Sequence, residues 1–288
     1  MATLYRKALD RELTEKHRSY WEAHQATARG KYVVLVEGDD DRDVLEQALA
    51  LYSGTWANRT HVAAAGSRKN VLAKLSEEQR WATFGLVDRD AWTKEESEDK
   101  VAAAKNASAT LFVTSGWCLE NIFLDPAWLT AVYPDIAQSL EAQRAEWVRA
   151  GALWWTIQRA REAQQVWHSE LGGKYGLPHQ ELDTSSSQTL LQGLKSKVPP
   201  AMEHAARINL ETIAQQFEQR CADVFAMSVQ DQWRVGVHGK AAFNQLLVPA
   251  LQKRFPSQQD INWRLELAKL LPKPLPSPLE QLKALLPP

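Results

Sequence analysis

Two short acidic stretches hold the residue types from which phosphoryl-transfer chemistry is built. Glu37-Gly38-x-x-Asp41 follows the apolar run Tyr32-Val33-Val34-Leu35-Val36, and Asp88-x-Asp90 follows Phe84-Gly85-Leu86-Val87. If the two runs are strands of one parallel sheet, both ends point the same way and Glu37, Asp41, Asp88 and Asp90 converge. Carboxylates that close together do not all stay ionised without a cation. Magnesium, or manganese in its place, suits them: a hard divalent ion binds carboxylate oxygens, keeps several waters and takes phosphate oxygens as further ligands. The expectation is therefore a metal centre suited to phosphoryl transfer, built on Glu37, Asp41, Asp88 and Asp90. Gly38 is expected to let the chain turn sharply after the strand and to leave room for a substrate. Asp39, Asp40 and Asp43 fit a plainer role, as negative charge complementing the start of a helix.

Other residues join this set with less support. Glu120 follows the fourth apolar run, Thr110-Leu111-Phe112-Val113, and can supply one more metal ligand or serve as an ordinary helix residue with Asn121 as a local cap. Arg68, Lys69 and Arg89 lie beside the acidic stretches and can neutralise substrate phosphate, a role any surface cation could share. Lys240, in the loop signal His238-Gly239-Lys240, is either a transition-state cation or one residue of a helix start.

The elements that must position these residues can be read from periodicity. A polar helix over 3–28 ends at Arg29-Gly30, as a glycine stop predicts. Residues 32–36 form a β-branched run typical of a central parallel strand, and Val44, Leu45, Ala48, Leu51 and Tyr52 mark the apolar face of the helix that follows. His61 to Ala65 is a second strand, Gly66-Ser67-Arg68-Lys69 a turn, and 70–75 a helix; 84–87 and 110–113 are the third and fourth strands. Alternation of strands and helices implies right-handed crossovers and ligand binding beyond the carboxyl ends of the strands. From Pro126 the pattern turns to amphipathic helices over roughly 126–133, 136–170, 188–197, 201–227, 240–254 and 260–270, with breaks at Gly172-Gly173, Ser185 to Ser187 and Pro199-Pro200. The tail 272–278 is proline-rich and expected to be extended before a last helical turn. The expected division is an N-terminal helix over 1–30, an α/β domain over 31–125 and an all-helical half over 126–288.

Composition narrows the possibilities. Among 288 residues, 44% are hydrophobic and 24% charged with a formal net charge of −1, which excludes disorder and a broadly basic nucleic-acid coat, so any nucleic-acid surface is local. Two cysteines, Cys118 and Cys221, make neither a disulfide framework nor a cysteine zinc site, and fit a cytoplasmic protein. No apolar run is long enough to span a bilayer, and Met1 to Lys31 is too charged for a signal peptide. Most of the twelve tryptophans sit at helical spacing beside charged residues, as packing of long helices requires.

The order strand-Glu-Gly-x-x-Asp-helix followed by strand-Asp-x-Asp resembles the TOPRIM domain of primases, topoisomerases, ribosomal RNA maturases and OLD-family nucleases, over about residues 32 to 125. Ala65-Gly66-Ser67-Arg68-Lys69-Asn70-Val71 and Leu119-Glu120-Asn121 are similar to the OLD-type branch and its stand-alone relatives in anti-phage defence, including the nuclease effector of the PARIS system. The resemblance implies a mostly parallel, Rossmann-like TOPRIM sheet flanked by helices. It also implies acid/base or metal work for Glu37, and divalent-metal binding by Asp41, Asp88 and Asp90. The activity it implies is that of a magnesium- or manganese-dependent nuclease acting on DNA or on RNA such as transfer RNA. A haloacid-dehalogenase-type phosphatase has the motifs in the opposite order, and a topoisomerase gate or a primase zinc module has no place in this chain. No Gly-x-x-x-x-Gly-Lys-Ser/Thr loop is present, so an ATPase, if one takes part, is a separate partner chain. A second copy of the chain is a further allowed partner; a membrane is not. The contrasting expectation is a catalytically latent interaction protein whose helical half, with Trp147, Trp154, Trp155 and Trp167, docks a partner ATPase.

Overall fold

The computed structural model describes residues 25–27, 29–51, 54–77, 83–107, 109–163, 182–198 and 209–286. The expected N-terminal helix over 3–28 lies almost wholly outside the described residues, as do Gly172-Gly173, Trp167 and Pro199-Pro200. Contacts divide the chain into two compact units, one running to Leu119 and resuming at Phe255, the other spanning Glu120–Arg254. Phe255 onward thus groups with the sheet, whereas the sequence grouped 126–288 together.

The first unit holds a four-stranded sheet, β1 (Tyr32–Val36), β2 (Thr60–Ala64), β3 (Thr83–Val87) and β4 (Thr110–Val113), in the order β2-β1-β3-β4. Every pairing is parallel: Val34 sits opposite Val62 and Phe84, and Gly85 opposite Leu111. Helices α1 (Asp39–Ala50), α2 (Arg68–Glu77) and α3 (Lys94–Asn106) connect successive strands. Because side chains alternate along a strand, Val33 and Leu35 of β1, Ala63 of β2, Val87 of β3 and Leu111 of β4 form one apolar layer, and Val71 and Leu75 of α2 pack on it. The alternate residues Val34, Val36, Val62, Leu86 and Phe112 are buried as well, which is why these strands read as continuous apolar runs. A Cβ on Gly85 would come within 2.5 Å of Leu75 Cδ1 and 3.0 Å of Val71 Cγ1, so the glycine lets α2 lie close on the middle of the sheet.

The carboxyl-terminal segment completes this unit. Helix Trp263–Ala268 packs on α1, Ser115 Oγ donates to the Ser277 carbonyl at 3.0 Å, and Leu275, Leu279 and Leu282 are buried. Helix α3 buries none of its residues, and so has no apolar stripe in the sequence. A capping box at Thr93 starts it: Glu96 N–H donates to Thr93 Oγ1, and Thr93 N–H to Glu96 Oε2 at 2.8 Å.

The second unit is helical among its described residues: α4 (Pro126–Val132), α5 (Pro134–Glu141), α6 (Arg144–Ala163), α7 (Ser187–Lys197), α8 (Leu210–Phe225) and α9 (Val248–Arg254), with π-type turns at Gln232–Gly236 and Phe243–Leu247. The helix expected over 136–170 is broken at Ala142-Gln143, where a turn separates α5 from α6. Its core joins α6, α7 and α8 through Leu153, Ile157, Leu190, Leu194, Ile213 and Phe217. Gly151 of α6 meets the chain at Gly236 so closely that a Cβ would lie 1.9 Å from the Gly236 carbonyl oxygen. Asn121 is not a local cap: its Nδ2 donates to the carbonyls of Trp233 (2.9 Å) and Val237 (3.0 Å), fastening the start of this unit to the first π-type turn. No helix among the described residues is long and apolar enough to cross a membrane.

Candidate active site

Strand order decides where a site can form. From β1 the chain moves to one side to make β2 and then crosses to the other side to make β3, so the two crossovers part between β1 and β3. In an open parallel sheet that is the crevice where ligands bind, beyond the carboxyl ends. Glu37 is the first residue past β1 and Asp88 the first past β3. They meet directly: Glu37 Oε1 accepts the Asp88 N–H at 2.8 Å.

Each carboxylate of the set is fixed by the backbone or by an arginine. Asp41 Oδ2 accepts the Gly38 N–H at 2.9 Å, so the Glu-Gly-x-x-Asp spacing also builds the reciprocal half of a capping box on α1. Gly38 itself is less constrained than its sequence context suggests. Its φ of −130° suits any residue, and a Cβ would meet Asp41 Oδ2 at an ordinary 3.5 Å. Asp88 Oδ1 accepts the Leu119 N–H at 3.0 Å. Asp90 has left-handed backbone at φ 50°, a region asparagine and aspartate enter more readily than most residues, and its N–H donates to the Trp117 carbonyl at 2.7 Å. Asp90 Oδ2 receives Arg68 Nη1 at 2.9 Å.

Arg68 reaches Asp90 because of how α2 begins. Gly66 turns the chain at φ 85°, Ser67 Oγ accepts the Asn70 N–H at 3.3 Å, and Asn70 Nδ2 donates back to the Ala65 carbonyl at 2.8 Å. Ser67 is thus the cap, and Arg68 opens the helix instead of standing in a turn. Its guanidinium carbon lies 4.2 Å from the centre of the Trp92 ring. Arg89 points its Nε at the Trp92 carbonyl, 2.9 Å away, and its N–H at Thr114 Oγ1, 3.0 Å away, so it ties together the loop that carries Asp88 and Asp90. Lys69 is exposed. Trp92, Thr114 and the backbone groups of Trp117 and Leu119 were not singled out in the sequence; a threonine immediately after β4 and a tryptophan two residues past Asp90 were the available signals.

Burial pushes the Glu37 carboxyl from 4.5 up to about 7. The Asp88 N–H pulls the other way, Asp90 and Asp41 raise the value further, and Arg68 lowers it. Glu37 therefore lies within the field of Asp90, Arg68 and Asp41, and titrates near neutrality. Asp39 and Asp43 pair with Arg42 at 2.6 and 3.0 Å, and Asp40 with Arg264 at 3.7 Å, which accounts for the remaining acids at the start of α1 as surface charge.

Glu120 and Lys240 belong to the helical unit. Glu120 is buried in the 3-10 turn Leu119–Leu124, and Lys240 is exposed on the short turn Gly239–Ala242, which His238 caps through Nδ1 on the Ala241 N–H at 3.2 Å.

The carboxylate oxygens have the chemistry a hard divalent ion takes. Among the described residues no group of three or more His, Cys, Asp or Glu is already arranged to hold a metal ion. Three comparisons with known proteins gave no match, whether to a family model, a curated protein or a solved structure.

Proposed function

We propose that the chain is a divalent-metal-dependent nuclease of TOPRIM type that hydrolyses phosphodiesters of DNA or RNA. The observation that carries this reading is the 2.8 Å hydrogen bond from the Asp88 N–H to Glu37, which joins the two acidic motifs at the β1/β3 crevice. Magnesium or manganese, held by Glu37, Asp88 and Asp90 with Asp41 beside them, would supply Lewis acidity and a water of lowered pKa. The protein's own groups supply the rest. Without a cation the Glu37 carboxyl lies near 7; a bound cation would favour its ionised form, which is suited to take a proton from an attacking water. Arg68, 2.9 Å from Asp90, and the exposed Lys69 beside it are offered to a phosphate oxygen. Arg89 keeps the Asp88–Asp90 loop in place. In a cell we assign the protein to the cytoplasm, as an effector of anti-phage defence that a separate ATPase chain holds or triggers.

The test is purified protein with plasmid DNA and with RNA in magnesium and in manganese. Cleavage is expected in the wild type and lost in both Glu37→Gln and Asp88→Asn, and the two losses are not expected to add, because the residues act as one unit. Cleavage of undiminished rate in the double variant overturns the assignment. A latent interaction protein is the second reading, favoured by the absence of a ligand-ready group among the described residues. It calls for cleavage only after a partner is added.

A further inference from the structure

Arg68 is in direct contact with one of the acidic motifs. Its Nη1 lies 2.9 Å from Asp90 Oδ2, with 21% of the Arg68 side chain and 29% of the Asp90 side chain exposed. A guanidinium does not lose its proton in a protein, so this positive charge is permanent. Both ends of the pair are fixed. Arg68 is the first residue of a helix whose start is pinned by Ser67 and Asn70. Asp90 is held in left-handed backbone by the Trp117 carbonyl.

Trp92 closes the arrangement from the far side. Its ring lies under the guanidinium at 4.2 Å and packs against the apolar layer of α2 and the sheet. Its N–H donates to the Arg89 carbonyl at 3.1 Å, and its carbonyl accepts Arg89 Nε at 2.9 Å. Stacking on an aromatic face and pairing with a carboxylate are both interactions that suit the planar guanidinium better than an ammonium.

Resting on the nuclease reading, we infer that Arg68 is the resident counter-cation of this site, clamped onto Asp90 by Trp92, and that a divalent cation competes with it for that carboxylate. Trp92 is then a positioning residue acting through Arg68. A phosphate is a strong partner for a guanidinium. A phosphate group that draws Arg68 away removes this competitor for Asp90, so cation and phosphate bind with positive coupling, each strengthening the other by the same factor. The device weakens cation binding until a phosphate is present.

Calorimetric titration of manganese into the full-length, chelator-treated protein tests this, with circular dichroism to establish folding of each variant. Arg68→Gln is expected to bind manganese about tenfold more tightly than wild type, a change of about 1.4 kcal/mol. Trp92→Leu, which loosens the clamp and keeps an apolar side chain, falls between them. Arg68→Lys keeps the charge without the planar fork and serves as the second variant should the glutamine form be unfolded; it too binds more tightly than wild type. Thymidine 5′-monophosphate is expected to strengthen manganese binding several-fold in wild type and not in Arg68→Gln. If manganese binding is lost in Asp88→Asn but is no tighter in either Arg68 variant, the clamp is overturned and the metal centre stands. If manganese binding is absent, or present and indifferent to Asp88→Asn, the metal centre falls and the clamp with it.

Discussion

Replacing Glu37 by glutamine should stabilise the protein, and by an amount that depends on pH. The carboxyl is raised from 4.5 to about 7, chiefly by burial, so the folded state favours the protonated form more than the unfolded chain does. The stability contributed by the neutral carboxyl is fully present below about pH 4.5 and is lost as the pH rises through about 7. At 1.36 kcal/mol per pKa unit, the shift corresponds to about 3 kcal/mol between the two limits. Glutamine keeps an oxygen to accept the Asp88 N–H and has nothing to ionise. The stability difference between Glu37→Gln and wild type should therefore be near zero at pH 4, about 1 kcal/mol at pH 5 and about 3 kcal/mol by pH 8.5, or about 2–4 °C of melting temperature per kcal/mol for a domain of this size. Scanning calorimetry across that range in EDTA measures it. A difference that is flat between pH 5 and 8.5 refutes the burial of an ionisable Glu37. Manganese in place of EDTA should shrink the difference at high pH, since a bound cation favours the ionised carboxylate that glutamine lacks.

Three further outcomes are expected. Gly151→Ala places a methyl 1.9 Å from the Gly236 carbonyl oxygen and 3.2 Å from Val237 Cα, backbone atoms that cannot swing aside, so denaturant unfolding should show a loss of about 3 kcal/mol or more. Gly38→Ser supplies the missing half of the capping box on α1 at a φ any residue adopts, and should raise stability by up to about 1 kcal/mol in the same assay. Both cysteines are buried and the Cys221 thiol is pushed up to about 11 by burial, so iodoacetamide at pH 8 should label neither within minutes in native protein and both in urea; rapid native labelling of Cys221 would contradict its placement in the α8 core.

The strands were legible because buried parallel strands leave unbroken apolar runs, and the four of them fall within one residue of where Tyr32, His61, Phe84 and Thr110 placed them. Glu37 and Asp88 were legible for the same reason, since each directly follows such a run. Helix α3 was not, because no residue of Lys94–Asn106 is fully buried, and only the Thr93-x-x-Glu96 cap announces it. Nor did the leucines of the proline-rich tail reveal their destination: Leu275 and Leu279 are isolated apolar residues with no periodicity, yet they are buried in the sheet unit. The partners of the carboxylates were the least visible part. Arg68 and Asp90 lie 22 residues apart, and Leu119 and Gly38 reach Asp88 and Asp41 through backbone amides, which every sequence has everywhere.

The grouping of Phe255 onward with the sheet has a consequence for biosynthesis. A ribosome delivers β1 to β4 first, then the whole of Glu120–Arg254, and only afterwards the helix Trp263–Ala268 that covers α1 and the Ser277 carbonyl that receives Ser115. The helical unit is continuous in the chain and can fold as soon as it emerges, whereas the sheet unit must wait for the segment that follows Arg254. Vectorial synthesis thus reverses the order of completion, and the crevice that holds Glu37 and Asp88 belongs to the unit that is finished only after the helical unit has been made.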